Sequence, residues 1–415
     1  MGKILEIAAR NLMRYRRRTL LTSLLVVIGI AAVLLFVAIT GSFKSLMIGQ
    51  ITDSMLGHLQ VHRRGYVASI ESLPLNLNMP PQMAARAAKA LEVNPEVEAY
   101  APRVKFGAMF SNFTETTSVR VNGVDPDREN QVTPLLAGRQ TDGKRDGPLV
   151  SRGEMLVPVL VARGLQVKAG DTVVLVATNK DGSVNGKTFV VRGTLESATG
   201  PGGRDGYVHI DDARELLRMT QLEVTEFAVR VKNPEHVESV KSAIDDALAG
   251  LKNQKGMPAL EVHPWQRLTP FANIARMIDV LTLAIKVMLV SIVLVAIMNV
   301  MVMAVYERIR EIGTIAAIGT PPRRILALFL TEGLLLGVLG SVVGTAASLA
   351  AIYALNVWKI TYNFGQQQGL LLAPAIGMQD VLSIAGMVIV VAVLASLQPA
   401  WKASRMDPIT ALRHV

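Results

Sequence analysis

Three stretches of the chain carry residue types at spacings that could do chemistry. Asp181-Gly182-Ser183-Val184-Asn185-Gly186-Lys187-Thr188 ends in the Gly-Lys-Thr of a phosphate-binding loop. Such a loop needs a glycine where Asp181 stands, and a following helix whose amides meet the phosphate. Here Thr188–Val191 reads as a strand mirroring Thr172–Thr178, so the stretch is predicted to be a hairpin turn. His58 and His62 are four apart, a spacing that suits a metal when it lies on a helix. The run Gly57–His62 alternates like a strand instead. That places both imidazoles on a polar face beside Gln60 with no carboxylate partner, an incomplete ligand set. Asp211-Asp212 and Asp245-Asp246 read as helix-start or surface charges, and the glycine-rich run 200–206 as a loop before the strand Tyr207–Ile210. No Ser/His/Asp set or His-Glu-x-x-His is recognisable. Nothing in these residues supports catalysis, a metal or a cofactor held by this chain.

The informative stretch is Tyr306–Arg324. Ile309, Ile312, Ala316 and Gly319 fall at helical spacing, with Glu307, Arg308, Arg310 and Glu311 displayed around them. Pro321-Pro322 stops that helix ahead of Arg323 and Arg324. On pattern alone the segment is either an amphipathic helix lying at a bilayer surface or a docking helix for a partner that moves it.

These residues need a framework to position them. The chain has 415 residues, more than one typical domain. Half are hydrophobic, 18% are charged and the mean hydropathy is +0.36, which excludes a disordered chain. Without cysteine there is no disulfide, thiol catalysis or Cys-ligated metal. The apolar residues pile into four spans: 19–41, 280–305, 325–357 and 381–400. The first runs 23 residues without a charge and is read as a retained anchor, because no small-residue cleavage site follows it. A charged but periodic lead-in, Phe271–Lys286, suggests that the second span projects beyond the bilayer. Glu332 is the single charge of the third span, which also holds Gly333, Gly337, Gly340 and Gly344 on one face, a pattern that lets helices approach closely. Gln398-Pro399 is expected to end the fourth.

The net charge is +10, and segments 1–18, 306–324 and 401–415 together carry +9 of it. Basic residues crowded beside apolar spans mark the cytoplasmic side, whereas a nucleic-acid footprint would be a basic face on a folded domain. Both termini, the N-terminal amphipathic segment 1–18 and the 306–324 connector are therefore expected inside, and nucleic acid is excluded as a partner. Residues 42–277, with 28 basic and 26 acidic residues, are expected outside, as is the short loop 358–380. That outer region reads as mixed α/β. Strands near 57–62, 97–106, 117–124, 224–231 and 260–263 and helices at 81–93 and 234–251 group 42–124 with 224–264 as one subdomain. The Gly- and Val-rich stretch 125–223 is an inserted β-rich subdomain. The fold class is an α-helical membrane protein with four transmembrane helices and a large α/β (α+β) extracytoplasmic domain between the first and second.

Three separated blocks carry a resemblance. Glu307-Arg308-Ile309-Arg310-Glu311-Ile312-Gly313 with Ala317-Ile318-Gly319 resembles the ER-x-REIG…ALG segment of the FtsX/MacB/LolC–LolE superfamily of ABC permeases. Ala9-Arg10-Asn11-Leu12 with Arg18-Thr19-Leu20-Leu21-Thr22 resembles that family's start. Pro399–Arg413 resembles its PARRAARxDPxxALR ending, with Trp401 where a basic residue is common. Gly57–His62 and Trp265 look most like the lipoprotein-releasing branch. The resemblance implies a non-catalytic permease of the bacterial inner membrane, paired with a second copy or a related chain. It implies a separate ABC ATPase dimer that holds the ATP and Mg. Glu307, Arg308, Arg310, Glu311, Gly313, Gly319, Arg323 and Arg324 would be the ATPase-coupling residues. The function implied is extraction or export of a lipid-anchored or amphiphilic substrate, with a periplasmic chaperone or adaptor as a further partner. The alternatives are MacB-like efflux through a tripartite pump and FtsX-like regulation of a cell-wall hydrolase.

Overall fold

The computed structural model describes residues 6–8, 10–11, 16–196, 203–364 and 367–413. Most of the 1–18 segment and the start of the 200–206 loop lie outside them. The chain divides into two compact units. A helical one comprises Met1–Ser45, Arg276–Tyr362 and Gly369–Val415, and an α/β one comprises Leu46–Ala275 with Asn363–Gln368.

The first long helix, α1 (Arg16–Ile51), runs on through a π-turn (Thr52–Leu56) to Gly57. The α/β unit follows as β1 (Leu59–Arg63), α2 (Pro81–Val93), β2 (Val97–Ser111), β3 (Thr116–Val124), α3 (Pro126–Val132), β4 (Gln140–Gly143), β5 (Glu154–Pro158), α4 (Val159–Gly164), β6 (Thr172–Thr178), β7 (Val184–Leu195), β8 (Asp205–His209), α5 (Ile210–Leu216), β9 (Glu226–Val231), α6 (Val237–Leu248), β10 (Leu260–Pro264) and α7 (Trp265–Leu268). Among the described residues the strands form one ten-stranded sheet, ordered β10-β1-β9-β2-β3-β8-β5-β7-β4, with β6 bridging β2 and β7. Within that sheet, among the described residues, only the β3–β8 and β5–β7 ladders are parallel.

Two large apolar cores and two smaller clusters sit on this sheet among the described residues. In the first, α2 and α6 pack Ala84, Ala87 and Leu91 and Val240, Ile244 and Leu248, residues at helical spacing, against Leu59, Val61, Val229 and Val262. The second gathers Phe106, Phe110, Val157, Leu175, Phe189 and Leu216. The 15-residue β2 serves both, with Val97 and Tyr100 against the first core and Val104–Phe110 in the second. β3, grouped with the first set on sequence grounds, gives Val119 and Val121 to the second core, because it pairs with β8.

The polar face of β1 departs from expectation. His58, Gln60 and His62 are all buried, and His62 Nε2 lies 3.2 Å from Glu226, so a carboxylate partner does exist. The alternation was legible, but what covers the polar side was not. The Thr172–Val191 stretch is the expected hairpin: Gly182 turns it with φ of 85° and donates to the Asn179 carbonyl. Lys187 pairs with Asp212 at 2.8 Å, and Asp212 is itself buried.

The helical unit continues with α8 (Phe271–Glu307), α9 (Ile309–Ala317), α10 (Pro322–Trp358), β11 (Thr361–Phe364), β12 (Gln367–Leu371), α11 (Met378–Ser404) and α12 (Pro408–Arg413). Four helices among the described residues are long and apolar enough to cross a membrane: Ser23–Leu56, Phe271–Glu307, Pro322–Trp358 and Met378–Ser404. At 1.5 Å per residue α8 and α10 are each about 55 Å long, well beyond a bilayer core of about 30 Å. Their shared core joins Ile30 and Leu34 of α1, Val293 and Ile297 of α8, Phe329 and Leu336 of α10, and Val388 and Ala392 of α11. Pro399 does not end the last span. It lies inside α11, buried, as membrane helices tolerate when neighbouring helices satisfy the freed backbone group. The 358–380 connection is not featureless, since β11 and β12 pair within it.

Candidate functional site

The end of the helical unit where Asn11 and α12 lie assembles most of the residues singled out above. α8 stops at Glu307, and Arg308, at φ −114° and ψ 20°, turns the chain into α9. The Arg308 side chain points into the bundle, where it is 7% exposed. Its Nη1 donates to Glu332 Oε1 of α10 at 2.9 Å and its Nε to Glu311 Oε2 at 3.1 Å. The guanidinium also lies 5.7 Å from the Phe329 ring centre. Asn11 Nδ2 reaches the same Glu332 oxygen at 2.8 Å.

The next turn is held differently. Gly313 is buried against α12, and a Cβ there would stand 2.7 Å from Ala411 Cβ, so only glycine permits this approach. Asp407 caps α12 by accepting from the Thr410 hydroxyl at 2.7 Å and the Thr410 amide at 3.3 Å. Ile312 adds an apolar contact to the shared core. α9 ends in a Schellman motif: Gly319 at φ 95° donates to Ala316, and Thr320 to Ile315. Pro322 then occupies the first position of α10.

The sequence-derived coupling set is thus divided. Arg308 and Gly313 face the bundle and the tail helix, and Glu311 is half-exposed and paired with Arg308. Glu307, Arg310, Gly319, Arg323 and Arg324 are exposed. Beside them three large apolar side chains also meet solvent: Tyr306 at 62%, Ile315 at 38% and Ile318 at 80% exposure. Sequence reasoning missed these exposed apolar residues, because Ile315 follows the buried Ile312 by three residues, a spacing that groups the two on one helix face. It also left Asn11 and Glu332 without a role; a lone acid in an apolar span was the available signal.

The glycine stripe of α10 is buried throughout. Gly333 and Gly337 lie against Ser396 and Ala392 of α11, while Gly340 and Gly344 lie against Val26 and Ile30 of α1. One stripe therefore serves two neighbours. Among the described residues no three His, Asp or Glu side chains are arranged to hold a metal.

Comparison with known proteins bears on this arrangement. Residues 19–247, more than half of the chain, match the MacB-like periplasmic core domain family, and residues 283–408 match the FtsX-like permease C-terminal family. The chain is an ABC transporter permease of the FtsX/MacB/LolC type. The lipoprotein-releasing system transmembrane protein LolC of Xylella fastidiosa (strain Temecula1) is 23% identical over 341 residues, 77% of this chain and 79% of that one. The macrolide export ATP-binding/permease protein MacB of Syntrophobacter fumaroxidans is 35% identical over 143 residues. That covers 34% of this chain and only 18% of the relative. Among solved structures, the extracellular domain of the ABC-type transporter YknZ from Gram-positive bacteria covers 49% of this chain and 98% of that domain. Its identity is 13% and its TM-score 0.34. The two family matches and the four apolar helices make the permease a membrane protein with an α/β domain inserted after the first helix.

Proposed function

We propose that this permease works with a separate ABC ATPase pair that binds ATP and Mg, that α9 is the helix the ATPase grips, and that the chain itself catalyses nothing. The observation that carries this reading is the exposed face of α9. Ile315 and Ile318, one turn apart on α9, are exposed while Gly313 is held against α12, and Tyr306, Arg310, Arg323 and Arg324 are exposed on the same stretch of chain. We read these exposed side chains as a protein interface. The +9 carried by the termini and this connector supports placing it in the cytoplasm and the α/β domain outside. Motion of α9 would reach that domain through α1 and α8, each continuous beyond bilayer thickness.

The LolC relative, aligned over three-quarters of this chain, supports a lipid-anchored or amphiphilic substrate drawn from the outer leaflet by two permease copies or a related pair. The MacB relative supports a second reading, export of a substrate already outside the membrane, and its shorter alignment makes this the weaker one.

Ile318→Glu tests the docking face. It should cost about 2 kcal/mol or more, roughly 30-fold in affinity for the ATPase, with membrane insertion unchanged. Arg128→Glu, in the α/β domain, should leave association intact and serves as control. Copurification of the ATPase and ATP turnover are the measurements; full retention of both by Ile318→Glu would sink the docking claim.

A further inference from the structure

Glu332 is 4% exposed inside α10 and is the single charge between residues 325 and 357. A carboxylate is costly in such surroundings unless paired. Here a single oxygen of it accepts from two segments far apart in sequence: Arg308, 24 residues away at the head of α9, and Asn11, 321 residues away near the N-terminus. Apolar contact between α9 and α10 already exists through Ile312, Ile325 and Phe329, which pack in one core. Cohesion alone therefore does not call for a buried charge, since apolar residues of similar volume often serve as well or better. What the ion pair adds is direction. Hydrogen bonds fix angle and register where apolar surfaces can slide, and Arg308 sits at the break that sets the angle between α8 and α9. The middle of α9 is held by Gly313 against Ala411, so the helix is fastened along its first half.

We propose that Glu332 is the positioning residue of this connector: it locks α9 and the N-terminal segment to the third span, so that a push on α9 becomes a movement of α10. The proposal rests on the reading of α9 as the ATPase-docking helix. It assigns Glu332 no contact with the ATPase or the substrate.

The test compares wild type, Glu332→Gln and the paired variant Arg308→Met/Glu332→Leu in the complex purified with its ATPase. The paired variant removes both buried charges while keeping their bulk, so insertion and melting temperature should be preserved. A single cysteine at Trp358, 73% exposed at the far end of α10, reports movement through its maleimide labelling rate with and without a non-hydrolysable ATP analogue. Both variants should retain the ATPase and hydrolyse ATP, while the nucleotide-dependent change in labelling falls about fivefold or more. An undiminished change in both would overturn the proposal. So would loss of the ATPase from the paired variant, because Glu332 would then shape the docking face only. A second arm needs no partner. Spin labels at exposed Thr314 on α9 and Val342 on α10 should give a narrow distance distribution in the wild-type background and a broad one in the paired variant. If wild type brings down no ATPase, the docking reading fails, and these labels decide the joint alone: equal widths overturn it.

Discussion

Arg103, 2% exposed in the α/β domain, donates through Nε and Nη2 to both oxygens of Glu129 at 2.9 and 2.6 Å, and through Nη1 to Glu226 at 3.1 Å. Glu226 also takes Lys105 at 2.9 Å and His62 at 3.2 Å. Burial alone would push the Glu226 carboxyl up, but Lys105, the His62 hydrogen bond and Arg103 together hold it well below the usual carboxylate range. Removing Arg103 leaves two buried carboxylates, one of them unpaired by any cation. Arg103→Met should cost about 3–5 kcal/mol and roughly 10 °C in melting temperature. Lys105→Met leaves Glu226 with Arg103 and His62 and should cost only about 1 kcal/mol. Fluorescence of the buried Trp265 follows the melt once the exposed Trp358 and Trp401 are replaced by Phe. Equal losses from the two variants would show that the network is not organised around Arg103.

Two histidines of the same domain add a pH dependence. Burial pushes His58 below the ordinary histidine value, with Asp53 opposing and Arg230 assisting; burial and neighbouring His62 do the same to His263. Between each folded value and about 6.5 the unfolded chain binds the proton and the folded chain does not, so stability falls as pH falls through that window. The depressed carboxyl of Glu226 acts in the same direction lower down, where its contribution is lost on acidification. His58→Asn/His263→Asn, which cannot charge, should flatten the slope of melting temperature between about pH 5 and 7. A slope as steep as wild type would mean that other groups set it.

At the scale of the element, the α10 stripe ranks its own substitutions. A Cβ at Gly337 would stand 2.7 Å from Ala392 Cβ, with the Ile389 backbone 3.4 Å away, and neither neighbour can rotate aside. At Gly340 the obstacle is a methyl of Val26, a side chain able to turn, although its Cβ is only 3.1 Å off. Gly337→Ala should therefore cost about 1–3 kcal/mol and Gly340→Ala less. Leucine at either position should prevent close helix approach and yield little monodisperse protein. Val342→Leu, on the exposed face at 66%, is the matched control. Size-exclusion profiles and melting curves in mild detergent read the difference; wild-type behaviour from Gly337→Leu would mean that the α10–α11 approach can open without penalty.

For the whole molecule the decisive question is sidedness. Single cysteines at Ser183, in the β6–β7 turn, and at Thr314, on the exposed face of α9, are unambiguous probes in a chain that has no cysteine. In intact spheroplasts an impermeant maleimide should label Ser183→Cys and spare Thr314→Cys until the membrane is opened. Labelling of both from outside would refute the four-span topology and, with it, the cytoplasmic docking of α9.

The four spans, the inserted α/β domain and the amphipathic connector were legible because each rests on a local pattern: uninterrupted apolar length, strand alternation, helical spacing. The Gly182 hairpin was legible for the same reason, since a turn needs only its own few residues. Long-range pairing left no such pattern. Nothing near His62 in the chain announces Glu226, 164 residues away, so a polar strand face read as lacking a carboxylate partner when one is buried against it. Nothing near Glu332 announces Asn11 or Arg308, and the sequence marked it only as a charge where charges are costly. The division of the connector into a fastened face and an exposed one was likewise settled by the tail helix, whose Ala411 closes over Gly313 from almost a hundred residues away. Local periodicity determines which elements form; the close approach of distant small residues and buried charges, which only packing can arrange, decides what each face is for.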